Sequence, residues 1–359
     1  MSAYIGALGL YLALAGLYFD IAYHHVYPFE AFWSNPHIVM YSGLGIAFLT
    51  GSILVLHPSL RRGFGGKSIY VLGMEISPYT LFYSVSCIVA LLAGYLDSIW
   101  HGIYGSFESA YSFPHTLALT GSYTASLILI HVLMTKYGAG TYIGSFLLAG
   151  VAMALFRTFI GPFSNSLDLF RELASGEGMG EHFIGKSTLL WNRYIDKGVY
   201  VENPIYPSLL ASYVYLSILY LSKMYLGDRR AYLYTGGFTT LLISIFYLST
   251  DMAGYNPVYR SPLSISIAIL SIILYMWDGP RGYILAGAIP GIIYIAVYGL
   301  SPLPIASSLA GAAMGYSYGY MMYRGLSMDS RLWLVGTLSV NFILVPAILG
   351  YVDLYIRFM

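Results

Sequence analysis

The sequence predicts an all-α integral membrane protein, a polytopic bundle of about eleven transmembrane helices. Three observations predict it. The chain is 58% hydrophobic and only 9% charged, whereas soluble domains carry about 25% charged residues. Its apolar residues gather into runs of about twenty, the length of helix that crosses a bilayer. Its lysines and arginines collect in alternate connections between those runs, as expected where basic residues stay on the cytoplasmic side.

Taken in order, the expected spans lie near 3–23, 36–56, 79–101, 114–135, 139–160, 204–226, 231–250, 262–278, 282–300, 302–323 and 332–356. The opening MSAYIGALGLYLALAGLYFD has no basic residue and reads as a first transmembrane helix, not as a cleaved signal peptide. The 57–78 connection holds Arg61, Arg62 and Lys67, and later connections on the same side hold Lys136, then Lys223, Arg229 and Arg230, then Arg281, then Arg324 and Arg331. This places the N-terminus inside the cell and turns the connections at 24–35, 102–113, 161–203 and 251–261 outward. The 161–203 segment is the one sizeable polar stretch. It reads as a solvated connector, with a cap over a site on that face as the functional alternative; LDLFRELAS within it has the pattern of a short amphipathic surface helix.

Composition also excludes function classes. A net charge of +1 gives no electrostatic footprint for nucleic acid. The single cysteine, Cys87, excludes an internal disulfide and any cysteine-rich zinc or iron–sulfur site. The 37 tyrosines exceed what interfacial belts require.

The informative feature is a duplication. DIAYHHVYPFEAFWSNPH (20–37) and DSIWHGIYGSFESAYSFPH (97–115) share one layout. Tyr18 or Tyr95 precedes Asp20 or Asp97 by two residues; His24 or His101 follows four residues after the Asp, behind an aromatic. Glu30 or Glu108 comes next, then a Pro-His pair ending in His37 or His115, then Ser42-Gly43 or Thr120-Gly121. The formulas are D-x3-H-x12-H and D-x3-H-x13-H. We read this as an internal repeat of a helix–loop–helix unit within 1–136 (repeats 1–57 and 79–136), followed by a C-terminal transmembrane bundle at 137–359.

Asp and His at i and i+4 share a helix face one turn apart, which is chelating spacing. The second His opens the returning helix just after a proline, which suits a first turn, so both His can meet at one depth near the outer face. Singly, each residue is more simply a helix cap or an interfacial side chain. Jointly, ionisable groups this close to lipid point to function. The metal candidates are therefore Asp20, His24, His37, Asp97, His101 and His115, with Glu30 and Glu108 as further ligands or as partners that orient a His. His25 has Gly102 as its counterpart and stands outside the pattern. His57 and His131 read as structural, and His182 lies in the polar connector with at most a supporting role. Imidazole with carboxylate suits copper, zinc or iron, and the spacing does not choose among them. A transporter with a duplicated polar site, and a zinc-dependent membrane hydrolase with Glu30 or Glu108 as general base, are the alternative readings.

The two motifs resemble those of the C subunit of the copper-containing membrane monooxygenases, which oxidise methane or ammonia. That family has a D-x3-H-x12-H element followed by an N-x3-H-x13-H element, with acidic residues and prolines similarly placed. The resemblance covers about 1–125 and implies that Asp20, His24 and His37 bind one copper while His101 and His115 belong to an adjacent site. Asp97 stands where the family has Asn, which would raise the negative charge beside the metal. It further implies dioxygen and a small substrate, other membrane subunits as partners, and electrons from outside the chain, a membrane quinol being one source.

Overall fold

The computed structural model describes residues 2–26, 33–104, 113–138, 140–155, 205–252, 262–298 and 302–324. Glu30, Glu108, the polar 161–203 connector with His182, and the expected last span at 332–356 lie outside the described residues. So do the side chains of His24, His25, His101 and His115.

The chain is mostly helical. Helices α1 (Ser2–Val26) and α2 (Asn35–Leu56) are followed by a small antiparallel hairpin, β1 (Ile69–Val71) and β2 (Met74–Ile76). Then come α3 (Pro78–Tyr104), α4 (Phe113–Thr135), α5 (Thr141–Leu155), α6 (Ile205–Leu226) and α7 (Arg230–Met252). A 3-10 turn (Pro262–Ile265) leads into α8 (Ser266–Met276), α9 (Pro280–Tyr298) and α10 (Pro302–Arg324). Proline opens α3, α9 and α10 and lies in the first turn of α2; its fixed φ and missing N–H suit that position.

The sequence predicts eleven spans; among the described residues five helices are long and apolar enough to cross a membrane: Ser2–Asp20, Asn35–Leu56, Pro78–Ile99, Leu117–Thr135 and Arg230–Ser249. Two more apolar helices, Thr141–Leu155 and Leu263–Met276, are shorter. Helices α6 and α10 have the length, but tyrosine, serine and glycine dilute their apolar character.

The chain divides into two compact units, 1–147 with 328–359, and 148–327. In the first, α1 packs on α2 and α4, and α3 packs on the same two helices, which closes a four-helix arrangement. Small residues set the approach of α1 and α2. Gly9, Ala13 and Gly16 fall on one face of α1 by their four-then-three spacing. A Cβ at Gly9 would lie 2.8 Å from the Gly43 carbonyl oxygen and 2.9 Å from the Ala47 nitrogen. A Cβ at Gly43 would collide with the Ala13 nitrogen and the Gly9 carbonyl, and one at Gly16 with the Met40 backbone.

Helices α3 and α4 meet through the same kind of contact. A Cβ at Gly121 would lie 2.5 Å from the Ser86 carbonyl oxygen and 2.7 Å from the Ala90 nitrogen. Gly43 and Gly121 each stand six residues after a histidine, His37 and His115. Gly9 and Ser86 each stand eleven residues before an aspartate, and Ala13 and Ala90 seven before it. The contacting atoms, a carbonyl oxygen and an amide nitrogen one turn apart, are of the same kind at both crossings.

Across α2 and α3, the Tyr83 hydroxyl donates to the Ala47 carbonyl at 3.0 Å and the Ser84 hydroxyl to the Gly51 carbonyl at 3.0 Å. Phe64, buried in the α2–α3 connection, packs edge-on against Tyr83 at 5.5 Å between centroids.

In the second unit α6 is the central helix, packed against α7, α8, α9 and α10. Every residue from Val214 to Ser222 is buried, as befits a helix enclosed on all sides. Helices α9 and α10 approach backbone to backbone, Gly287 against Gly311 and Gly315 against the Tyr283 carbonyl. Many of the tyrosines are interior here. Tyr232 donates to Asp278 at 3.0 Å and shares a 3.0 Å hydroxyl contact with Tyr283. Tyr220 stacks obliquely on Tyr318, 5.5 Å between centroids. Asp278 also receives Lys223 at 3.2 Å and Arg229 at 3.1 Å, which ties α6 and α7 to the turn before α9.

Glycine contrasts within one helix test this packing. Gly43→Ala should destabilise the first unit by about 1–3 kcal/mol through overpacking. Gly45→Ala, where a Cβ meets open space, should be neutral or slightly stabilising through helix propensity. Thermal unfolding midpoints in mild detergent measure both, and equal effects would contradict the packing described.

Candidate functional site

Asp20 lies one turn and more beyond Gly16 on α1, and the run Gly9, Ala13, Gly16, Asp20 keeps to the helix face that meets α2. His37 is the third residue of α2. The antiparallel crossing that sets Gly16 against Met40 therefore brings Asp20 level with the start of α2. His37 Nε2 stands 3.0 Å from Asp20 Oδ1. The side chains are 8% and 11% exposed respectively, too dry for bulk water to solvate them fully. Burial of a carboxylate is costly without such a partner, so the pair is held by mutual need as well as by the helix crossing. Tyr18, two residues before Asp20, is buried as well.

The pair continues toward α3 through Tyr41. The Tyr41 ring lies 5.6 Å from the His37 ring, between centroids. Its far edge occupies the space over Gly94, where a Cβ would come within 2.5 Å of the ring. Asp97 follows Gly94 by three residues, on the same side of α3, and is buried. The α2–α3 crossing sets Gly51 against Ser84 and Tyr41 against Gly94, ten residues apart on both helices. Continuing that register brings Asp97 level with Ile38, next to His37.

Three of the six expected ligands, Asp20, His37 and Asp97, are thus buried at one end of the first unit. His24 and His101 lie one turn beyond Asp20 and Asp97 on α1 and α3, and His115 is the third residue of α4; their side chains lie outside the described residues. Among the described residues no group of three or more His, Cys, Asp or Glu is close enough to hold a metal ion. The described part of the site is a carboxylate–imidazole pair. The 3.0 Å separation is that of a direct imidazole–carboxylate hydrogen bond or ion pair.

The remaining histidines behave differently. His57 is exposed at the end of α2, its Nδ1 2.9 Å from the Ser59 hydroxyl. His131 is buried against Tyr79, 4.9 Å between ring centroids. Tyr41 and Gly94 were not among the residues singled out from the sequence. The available signal was the position of Tyr41 one turn after His37, which is ambiguous in a chain with 37 tyrosines.

No family model, no curated protein and no solved structure matches this chain.

A double-mutant cycle on Asp20→Asn and His37→Gln tests the pair. Their effects on unfolding free energy in detergent should be non-additive, with a coupling of about 0.5–3 kcal/mol. Additive effects would mean that the two side chains do not depend on each other.

Proposed function

We propose that this chain is a multi-pass membrane protein, N-terminus inside, that binds copper near the outer face. In this reading it is a subunit of a copper membrane monooxygenase-like complex, oxidising a small substrate with dioxygen. The observation that carries the metal-site reading is the buried Asp20–His37 pair, two residues of the expected ligand set that the helix crossing brings side by side. The five long apolar helices support the membrane reading. The matching Gly43 and Gly121 contacts support a duplicated helix–loop–helix unit, the second half of which carries Asp97, His101 and His115.

Asp20, His24 and His37 would hold one ion; His101 and His115, with Asp97 beside them, would hold an adjacent one. Glu30 and Glu108 are further ligands or orient a histidine. Bound copper supplies the redox chemistry by which dioxygen is used. The chain's own contribution is to fix the donors at helix ends, to exclude water by burial, and to set the charge around the ion through Asp20 and Asp97. Electrons come from outside the chain, a membrane quinol being the expected class of donor, and companion subunits complete the assembly.

Metal analysis by mass spectrometry on protein purified in mild detergent tests this, with wild type beside His24→Ala/His101→Ala and Asp20→Asn/His37→Gln. Copper in the wild type and its loss in both variants is the expected outcome, followed by dioxygen consumption that depends on the bound copper. Zinc in place of copper, with activity that survives anaerobic assay, would replace this reading by a hydrolase. No metal after copper supplementation would leave a transporter and end the metalloenzyme reading.

A further inference from the structure

The connection between α2 and α3 carries a feature that the metal-site reading does not use. Strands β1 and β2 pair Ile69 with Ile76, Tyr70 with Glu75 and Val71 with Met74, so Leu72 and Gly73 form the two-residue turn. Both have positive φ, +50° and +75°. Two-residue turns of this kind favour Asn, Asp or Gly, because a bulky side chain is strained there. Leu72 is the one non-glycine residue with positive φ among the described residues, and it is 92% exposed. Tyr70, on the outward side of the hairpin, is 78% exposed. Leucine at this position is unfavourable twice over, in backbone strain and in apolar exposure, within the fold described.

The base of the hairpin is firmly held. Ile76 and Phe64 are buried. The Ser77 amide donates to the Arg61 carbonyl at 3.0 Å, the Ser77 hydroxyl donates to the Gly65 carbonyl, and Lys136 Nζ donates to the Gly63 carbonyl at 2.6 Å. The apolar tip is therefore presented on a fixed support. Around it stand Arg61, Arg62 and Lys67 against one carboxylate, Glu75, which meets Arg62 loosely at 3.6 Å. Arg62 and Lys67 are exposed.

We propose that the β1–β2 hairpin is an interfacial anchor: Tyr70 and Leu72 enter the headgroup region of an anionic bilayer while Arg62 and Lys67 meet lipid phosphates. The proposal rests on the membrane reading above, and not on the metal. Lipid is favoured over a protein partner on three grounds. The hairpin connects two helices that are each long and apolar enough to span, so its base sits at a membrane boundary. Its excess of positive charge complements an anionic leaflet. Its apolar tip is two side chains, far short of the roughly 800 Å² that each partner of a specific protein complex contributes, but of the size and aromatic–aliphatic kind that the interface accepts.

Cys87 is the single cysteine and is 1% exposed, so Leu72→Cys offers one site for a nitroxide label. The label's collisions with dioxygen and with a water-soluble nickel chelate, read by EPR power saturation, report its surroundings. The protein is reconstituted into vesicles of phosphatidylcholine with phosphatidylglycerol, and into phosphatidylcholine alone. Leu49→Cys, midway along α2 and 58% exposed, is the control for membrane insertion. The expected result is a dioxygen-to-nickel ratio several-fold above that of a label in water at both positions, with the hairpin label shifting toward water in phosphatidylcholine alone. Because labelling alters the tip, a Tyr70→Cys label is read beside it in the native Leu72 background and with Leu72→Asn. Asparagine relieves the strain and should move that label into water without lowering the unfolding temperature. A lipid-like Leu49 label with water-like labels at the hairpin overturns the anchor alone. A water-like Leu49 label overturns the membrane reading, and the anchor with it. Hairpin labels shielded only when a second protein is added overturn the lipid assignment in favour of a protein partner.

Discussion

Backbone-to-backbone contact between helices is the constraint on which the first unit depends. Gly43 admits the α1 backbone so closely that no side chain fits between, and Gly121 admits α3 in the same manner. Helices as apolar as these gain little from one another through the hydrophobic effect if their surroundings are also apolar. Close packing and polar contacts then supply most of the preference for one partner. The small residues also fix rotation and register. With Gly9, Ala13 and Gly16 against α2, Asp20 has one place to go, which is beside His37.

The second unit solves the same problem with different residues. Its α9–α10 pair uses Gly287, Gly311 and Gly315 for close approach. Its central α6 is surrounded on all sides, so polar atoms on any face must find partners inside. Serine and tyrosine hydroxyls meet that need: Ser222 with Thr235 at 2.8 Å, Tyr232 with Tyr283 and Asp278. Asp278 is a half-buried carboxylate with two cations and a phenol as partners, an arrangement in which the cost of desolvation is met by several contacts at once. Asp20, by contrast, has an imidazole as its ion-pair partner. Asp278 thus resembles a structural clamp on α6 and α7.

Hydropathy was a good guide to where helices lie, and among the described residues five of them are long and apolar enough to cross a membrane. In α6, five tyrosines lower the apolar character although Tyr215 and Tyr220 are fully buried. A scale that counts tyrosine as polar does not register that its ring is enclosed by neighbouring helices. The hairpin at 69–76 was equally hidden, because IYV and MEI are too short to stand out from the connection around them, and Leu-Gly is not a usual turn signal.

The repeated layout of Asp20, His24, His37, Asp97, His101 and His115 is readable because spacing along a helix is a property of the chain alone; of these, the described side chains are Asp20, His37 and Asp97. The sequence by itself determined the helical, apolar character of the protein, the one-turn spacing of Asp and His, and the recurrence of that spacing. Only the tertiary structure decided that Asp20 and His37 meet at 3.0 Å, that Tyr41 fills the slot over Gly94, and that the α2–α3 register sets Asp97 near the start of α2. Those outcomes depend on which faces of α1, α2 and α3 touch and in what register. That choice is made by glycines whose lack of a side chain carries no meaning until the opposing backbone is known.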